Sequence, residues 1–490
     1  MKLFNIKKDE RKQVLILFVQ FFAVVATSIT GSSARDAYFL NLFDRSYLPL
    51  MFVAIAITMV IVINIYKRVT DGKDLIQVIT IGGAIFAATL LIIQISLSRL
   101  FTMFAAGESI TALPEKWLIP FLFVFMEVVV SLSILQFWML AGEVFDARQA
   151  KRLFSILGAG GSVAGILAGY SLKPFVKMFG SEKLLYLTIF FIGLYVIMGM
   201  LIKKYKEPED KQRQKKKPAV ESKEKKTKFK FDPYLKSIAL LIGLAAFISK
   251  IIDYQFKMTA VETFPLQDDL VSFFGTYYMA TGAATIFMQF FITGMVLARF
   301  GILAGLLFLP ISLAFGTSGF LMIPLLASVF MAKFSDQVFK FSINSAAQEI
   351  LWLPIPKDRK KQAKPVIDSA IRATLEGVVG ILIFVLVQFQ FVPTDKLHLL
   401  SIMALVAIIF WVWNSFRLKN GYVKTLMIAI EKRQLNLEDV EFHFALEGIS
   451  GKGRGFLLET IKEAKMFMKA QTIDSTKTTW LDLHKTMKDL

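Results

Sequence analysis

Apolar runs of about twenty residues recur from near the start of this chain to about residue 416. Coiled at about 1.5 Å per residue, each run matches the hydrocarbon thickness of a bilayer. The chain is 55% hydrophobic, and its 19% of charged residues collect between the runs. In lipid every backbone N–H and C=O must find its partner inside the protein, which leaves helices as the structure for spans of this length. The expected fold class is an all-α polytopic membrane protein with about twelve transmembrane helices in two six-helix halves.

The spans are expected at 13–40, 47–66, 75–98, 117–141, 153–175 and 184–202, then at 233–257, 271–298, 301–316, 319–345, 366–391 and 396–416. The ninth is the shortest, because Gly316-Thr317-Ser318-Gly319 leaves almost no loop before the tenth. This divides the chain into a first half at 1–202, a basic linker at 203–232, a second half at 233–416 and a tail at 417–490. Residues 203–231 hold 13 Lys and Arg and no apolar run. With that linker inside, the inner loops carry about three times as many basic residues as the outer ones, which puts both termini in the cytoplasm. No small-residue cleavage site follows the first run, so it reads as a retained span. In the tail, Leu418, Tyr422, Leu426 and Ile430 recur every four residues opposite Lys and Arg. The pattern predicts an amphipathic helix on the inner leaflet or packed under the bundle, and a second helix is expected near 454–470.

The net charge of +19 sits mostly in the loops, where it reflects orientation and anionic lipid, not nucleic acid. With no cysteine and three scattered histidines (His398, His443 and His484), thiol chemistry and a metal centre are not expected. Gly451-Lys452-Gly453-Arg454-Gly455 lacks phosphate-loop spacing, and no cofactor is expected. No nucleophile-base pair points to an enzyme.

Charges inside the spans are the functional signal. One at the bilayer centre costs about 2.5–3.5 kcal/mol on insertion scales, so such residues face a bundle interior or a wet cavity. Lys333, Asp336 and Lys340 fall along one helix face, as do Asp368, Arg372 and Glu376. Arg35 and Asp36 are adjacent in the first span, about 100° apart around the helix, and are not expected simply to neutralise each other. Glu127 has no cation in its own span, which makes Arg35 a candidate partner. Lys250 and Asp253 are three residues apart and can pair on one face. Together Arg35, Asp36, Glu127, Lys250, Asp253, Lys333, Asp336, Lys340, Arg372 and Glu376 form the expected substrate or ion route. Gly161, Gly165 and Gly169, at four-residue spacing, read as a helix-packing stripe.

The halves also echo each other. Arg35-Asp36 late in span 1 parallels Lys250 and Asp253 late in span 7, and Glu143 after span 4 parallels Glu349 after span 10. Duplicated halves with a site between them are a common transporter plan.

Two stretches carry a family resemblance. Arg68, Asp71, Gly72 and Lys73 after span 2 resemble the loop motif of the major facilitator superfamily, in which acidic and basic residues latch the cytoplasmic side. Residues 348–372 resemble the ATP/ADP translocase family of plastids and intracellular bacteria, itself of the wider major-facilitator fold. Glu349, Leu353-Pro354-Ile355, Lys364, Ile367-Asp368 and Arg372 keep its motif positions. Gln348, Gln362-Ala363 and Thr374-Leu375 depart from it and remove two cations that would meet phosphate. The resemblance implies a divergent bacterial member in the inner membrane, with Arg68, Asp71, Lys73, Glu143, Glu349, Lys364 and Asp368 at a cytoplasmic gate.

The leading expectation is a secondary transporter working by alternating access on an anionic or phosphorylated, nucleotide-like solute, with ATP/ADP exchange itself not implied. A coupling proton or an exchange substrate would be its other partner. Five intramembrane cations face six acids, so an anion site requires a cation left unpaired. The rivals are a lipid or amphiphile flippase, which predicts a lateral opening and a half-apolar cavity, and a non-transporting scaffold or sensor acting through its tail, which predicts fully paired charges.

Overall fold

The computed structural model describes residues 10–70, 72–105, 114–145, 147–204 and 231–431. The first half holds α1 (Arg11–Leu42), α2 (Leu48–Thr70), α3 (Leu75–Ala105), α4 (Leu118–Val144), α5 (Ala147–Phe179) and α6 (Leu184–Lys203). The second begins with α7 (Pro233–Thr263), which Asp232 caps by accepting from the Leu235 amide at 2.8 Å. It continues with α8 (267–300), α9 (302–322), α10 (326–351), α11 (357–388) and α12 (Leu400–Glu431). Among the described residues no strand occurs, and nine stretches are long and apolar enough to cross a bilayer. One of these, Gln267–Met322, is two helices, and α5 and α10 bring the bundle to the expected twelve.

The eighth and ninth spans part at Gly301, where φ is +73°, a conformation that favours a residue without Cβ. The expected turn at 316–319 lies instead inside α9, and the chain reverses at 323–325. Thr317 Oγ1 bonds back to the Leu313 carbonyl at 2.6 Å, so its hydroxyl does not interrupt the helix.

Each half is built around a buried first helix. α1 packs on α4, α5 and α6, and α7 packs on α10, α11 and α12. The outer faces carry exposed large apolar residues, among them Ile61, Ile92, Phe290, Phe315 and Ile409, as lipid contact requires. Leu418, Tyr422 and Leu426 are buried on the last turns of α12, so this amphipathic stretch packs under the bundle as a continuation of the twelfth span. The linker from 205 to 230, the expected helix near 454–470 and the glycine-rich run at 451–455 lie outside the described residues.

The two halves meet most closely where side chains vanish. A Cβ on Gly165 would stand 3.1 Å from the Gly282 Cα, and one on Gly169 would stand 2.6 Å from the Met279 nitrogen. The glycine stripe of α5 thus seats α8 backbone to backbone, as small-residue spacing implies. Gly161 turns toward α1 instead, against Phe21 and Val25. On the opposite side Gly380 of α11 lies against Pro49 and Phe52 of α2.

Candidate functional site

Between the halves lies a cavity of about 260 Å³, lined from α1, α2 and α4 on one side and from α7, α8, α10 and α11 on the other. Nine of the ten expected route residues line it: Arg35, Asp36, Glu127, Lys250, Asp253, Lys333, Asp336, Lys340 and Glu376. Arg372 is not among the lining residues, although it is within electrostatic reach of Lys340. The expected single face of Asp368, Arg372 and Glu376 is broken by a π-helical turn at Val366–Ile371. Such a turn takes one residue more than an α turn, so side chains before it are rotated relative to those after it.

Lys257 also lines the cavity, and it is not among the residues expected there. The expected span ends at 257, whereas α7 runs on to Thr263 and carries Lys257 into the interior, 6% exposed. The spacing of Lys250, Asp253 and Lys257, a third charge one turn beyond the pair, is the sequence signal that marks it.

The charges form a chain. Glu127 accepts from Arg35 Nη1 at 3.1 Å, and Arg35 Nε donates to Asp36 at 2.9 Å. Lys257 then bridges Asp36 at 3.1 Å and Asp253 at 3.0 Å, and Lys333 closes the chain on Asp253 at 2.7 Å. Two expectations are corrected here. Arg35 and Asp36 do pair, because the long arginine side chain folds back over a directional gap that the Cα positions alone would leave open. Lys250 pairs with Glu376 at 3.5 Å, while Asp253 is taken by Lys257 and Lys333. Of these cavity ion pairs, Lys257–Asp36 is the one that joins the two halves. Phe123 supports the join, with Arg35 at 4.4 Å and Lys257 at 5.6 Å from its ring centroid.

Five cations therefore line the cavity against five acids. Four of the cations contact a carboxylate. Lys340 has none within ion-pair distance among the described residues. Its ammonium instead donates to Ser249 Oγ at 3.2 Å, at the start of a second π-helical turn, Lys340–Asn344. Turns of this kind occur often at functional sites.

The model of the TLC ATP/ADP transporter family matches residues 3–422. The chain belongs to this family. That family is one of ATP/ADP transporters, and the apolar helices make this chain a multi-pass membrane protein. ADP,ATP carrier protein 1 of Chlamydia trachomatis is 23% identical over 297 residues, which cover 52% of this chain and 56% of the relative. ADP,ATP carrier protein 2, chloroplastic, of Arabidopsis thaliana is 22% identical over 426 residues, 75% of this chain and 68% of the relative. The chain spans just over half the length of the chlamydial relatives it matches. In fold it is similar to a bacterial homologue of the iron transporter ferroportin in an inward-facing state, with TM-score 0.56 and 14% identity over 82% of this chain and 98% of that one. A POT family transporter in complex with 5-aminolevulinic acid aligns with TM-score 0.51 and 12% identity, covering 82% and 96%. These two similarities are of fold alone.

In this TLC-family chain the motif residues sit at the end of the bundle where α1 begins and α12 ends. Glu349 pairs with Lys364 and lies 3.9 Å from Lys360, and Lys364 stands 6.0 Å from the centroid of the Trp352 ring. Asp368 lies within electrostatic reach of Lys364 and Arg372. Glu143 is exposed at the end of α4, Arg68 is exposed in the last turn of α2, and Lys73 is exposed in the loop beyond it. Asp71 lies outside the described residues. The ion pairs Glu349–Lys364, Glu349–Lys360 and Asp232–Arg359 all stay within the second half.

At the other end, bonds cross between halves. The Ser181 amide donates to Asp268 at 3.0 Å, and Gln267 donates to Ser181 Oγ at 3.0 Å. Tyr38 holds the Ser181 carbonyl from within the first half at 2.8 Å. The two crossing polar bonds hold the halves together at this end, and the α5–α8 glycine contact continues the join toward the middle of the spans.

Proposed function

We propose that this chain is a secondary transporter that works by alternating access on a phosphorylated, nucleotide-like anion, with Lys340 as the cation that first receives it. The observation that carries this reading is the lysine left without a carboxylate in a cavity whose four other cations are paired. A phosphate oxygen at Lys340 gains a charge-assisted bond without displacing an existing ion pair. Arg372, within electrostatic reach, adds attraction from the motif end. Phe274, Tyr277 and Tyr278 supply aromatic faces on the same wall for a planar group such as a nucleobase.

Acidic and basic side chains make up half of the lining, which favours a charged solute over a lipid. The names of the relatives point toward ADP and ATP, and the missing motif cations leave the choice among nucleotides open to a wider class. Alternation would break the Asp36–Lys257 tie and the Ser181–Asp268 closure while the opposite end comes together. The basic loops support cytoplasmic termini in a bacterial inner membrane.

The test is uptake by proteoliposomes of labelled ADP, ATP, sugar phosphates and amino acids, beside a fluorescent-lipid flip assay on the same preparation. Saturable uptake of a phosphorylated compound supports the reading. Lipid flip without uptake of any anion refutes it.

A further inference from the structure

The lysine without a carboxylate has a counterpart. Asp336, 2% exposed, is the cavity acid that no cation contacts within ion-pair distance among the described residues. It lies four residues before Lys340 on α10, an arrangement in which acid and base commonly pair directly. Here they do not. Both bond instead to one hydroxyl on α7: Ser249 Oγ donates to Asp336 Oδ1 at 2.6 Å and accepts from Lys340 Nζ at 3.2 Å.

A serine hydroxyl has one hydrogen and two lone pairs. With Asp336 ionised, that hydrogen is spent on the carboxylate and one lone pair on Lys340. If Asp336 takes a proton from water, the new carboxylic O–H can donate to the remaining lone pair of Ser249. The serine hydrogen is then released and can turn toward an oxyanion beside Lys340. Protonation also removes the negative charge that partly offsets Lys340. Both changes favour an anion.

We propose that Asp336 is the protonation site that couples proton binding to anion binding at Lys340, with Ser249 as the positioning residue between them. The proposal rests on the reading of Lys340 as an anion site and goes further by assigning the coupling ion and its carrier. The groups that face Asp336 are Lys333 and Lys340 on its own helix, Lys250 and Asp253 on α7, Tyr277 on α8 and Glu376 on α11. α9, which also packs on α10, carries no ionisable side chain. Each of the other acids facing the cavity has a cation contact already, which leaves Asp336 as the carboxylate to accept a proton without breaking an ion pair.

Infrared difference spectroscopy of the purified full chain reads a carboxylic-acid band as pH is varied, and parallel titrations with ADP and inorganic pyrophosphate read affinity. The wild type should show a titrating band that Asp336→Asn lacks. Its affinity should fall by about tenfold per pH unit above the midpoint, the limit for one linked proton, toward a plateau about 5–150-fold weaker. Asp336→Asn, a fixed mimic of the neutral acid, should bind with pH-independent affinity. Ser249→Ala should keep the band and lose most of the coupling, and Ser249→Thr should restore it. A titrating band that persists in Asp336→Asn, or wild-type binding that ignores pH, would overturn the proposal. Binding of neither probe at any pH, with the band still lost in Asp336→Asn, would count against the anion reading and leave Asp336 as the protonation site.

Discussion

Replacing Lys257 with methionine removes the tie between the halves while keeping most of the side chain's length. The ammonium contacts Asp36 at 3.1 Å and Asp253 at 3.0 Å, and the side chain is only 8% exposed. Removing one partner of a buried pair costs about 3–5 kcal/mol when an unpaired charge is left behind. Here Asp36 keeps Arg35 and Asp253 keeps Lys333, so the cost should sit near the low end, at about 3 kcal/mol. Part of it should appear as a weaker bond between the halves. Spin labels at Phe179→Cys and Leu266→Cys report that directly, since both sites are exposed, flank the Ser181–Gln267 contact and introduce thiols into a chain that has none. Electron spin distance distributions should shift toward a separated end in Lys257→Met, by about tenfold in population for each 1.4 kcal/mol carried by the tie. In a cycle with Asp36→Asn, the double variant should resemble the singles, with a coupling of about 1–3 kcal/mol. Effects that add to within about 0.5 kcal/mol would refute the argument that this pair links the halves.

Two further perturbations draw on the same geometry. Gly169→Ala puts a methyl 2.6 Å from a backbone nitrogen and 2.7 Å from the Gly275 carbonyl oxygen; it should force α5 and α8 apart, lower stability by about 1–3 kcal/mol in thermal unfolding, and lengthen the same spin-label distance. Glu349→Gln removes an acid that is 30% exposed and pairs with Lys364; it should cost under about 1 kcal/mol in unfolding while changing the rate of uptake, and an uptake rate equal to wild type would remove Glu349 from any gating role.

Much of this fold is legible in the sequence because the bilayer imposes a length and the charges that violate it stand out. All twelve spans lie near their expected positions, and nine of ten expected residues line one cavity. The features that escape such a reading depend on local backbone geometry. Gly301 breaks a helix by adopting positive φ, whereas the Gly316–Gly319 run that resembles a turn stays helical with its hydroxyl bonded back to the preceding turn. The π-helical turn at Val366–Ile371 shifts the register between Asp368 and Arg372, which no ideal helical wheel shows. Lys257 sits at the margin of the apolar run that marks its span, and Ser249 is an ordinary serine in a membrane helix until both its neighbours are known. Pairings such as Lys250–Glu376 join residues more than a hundred positions apart, and neither spacing nor composition selects them.

The central claim is that Lys340 receives the anion, and equilibrium binding of ADP to Lys340→Ala tests it most directly. The cavity side chains around it are already engaged with one another, so loss of the ammonium should weaken binding by at least about tenfold, with Lys340→Arg restoring part of it. Unchanged ADP affinity in Lys340→Ala, in a protein whose wild type binds ADP, would contradict the account.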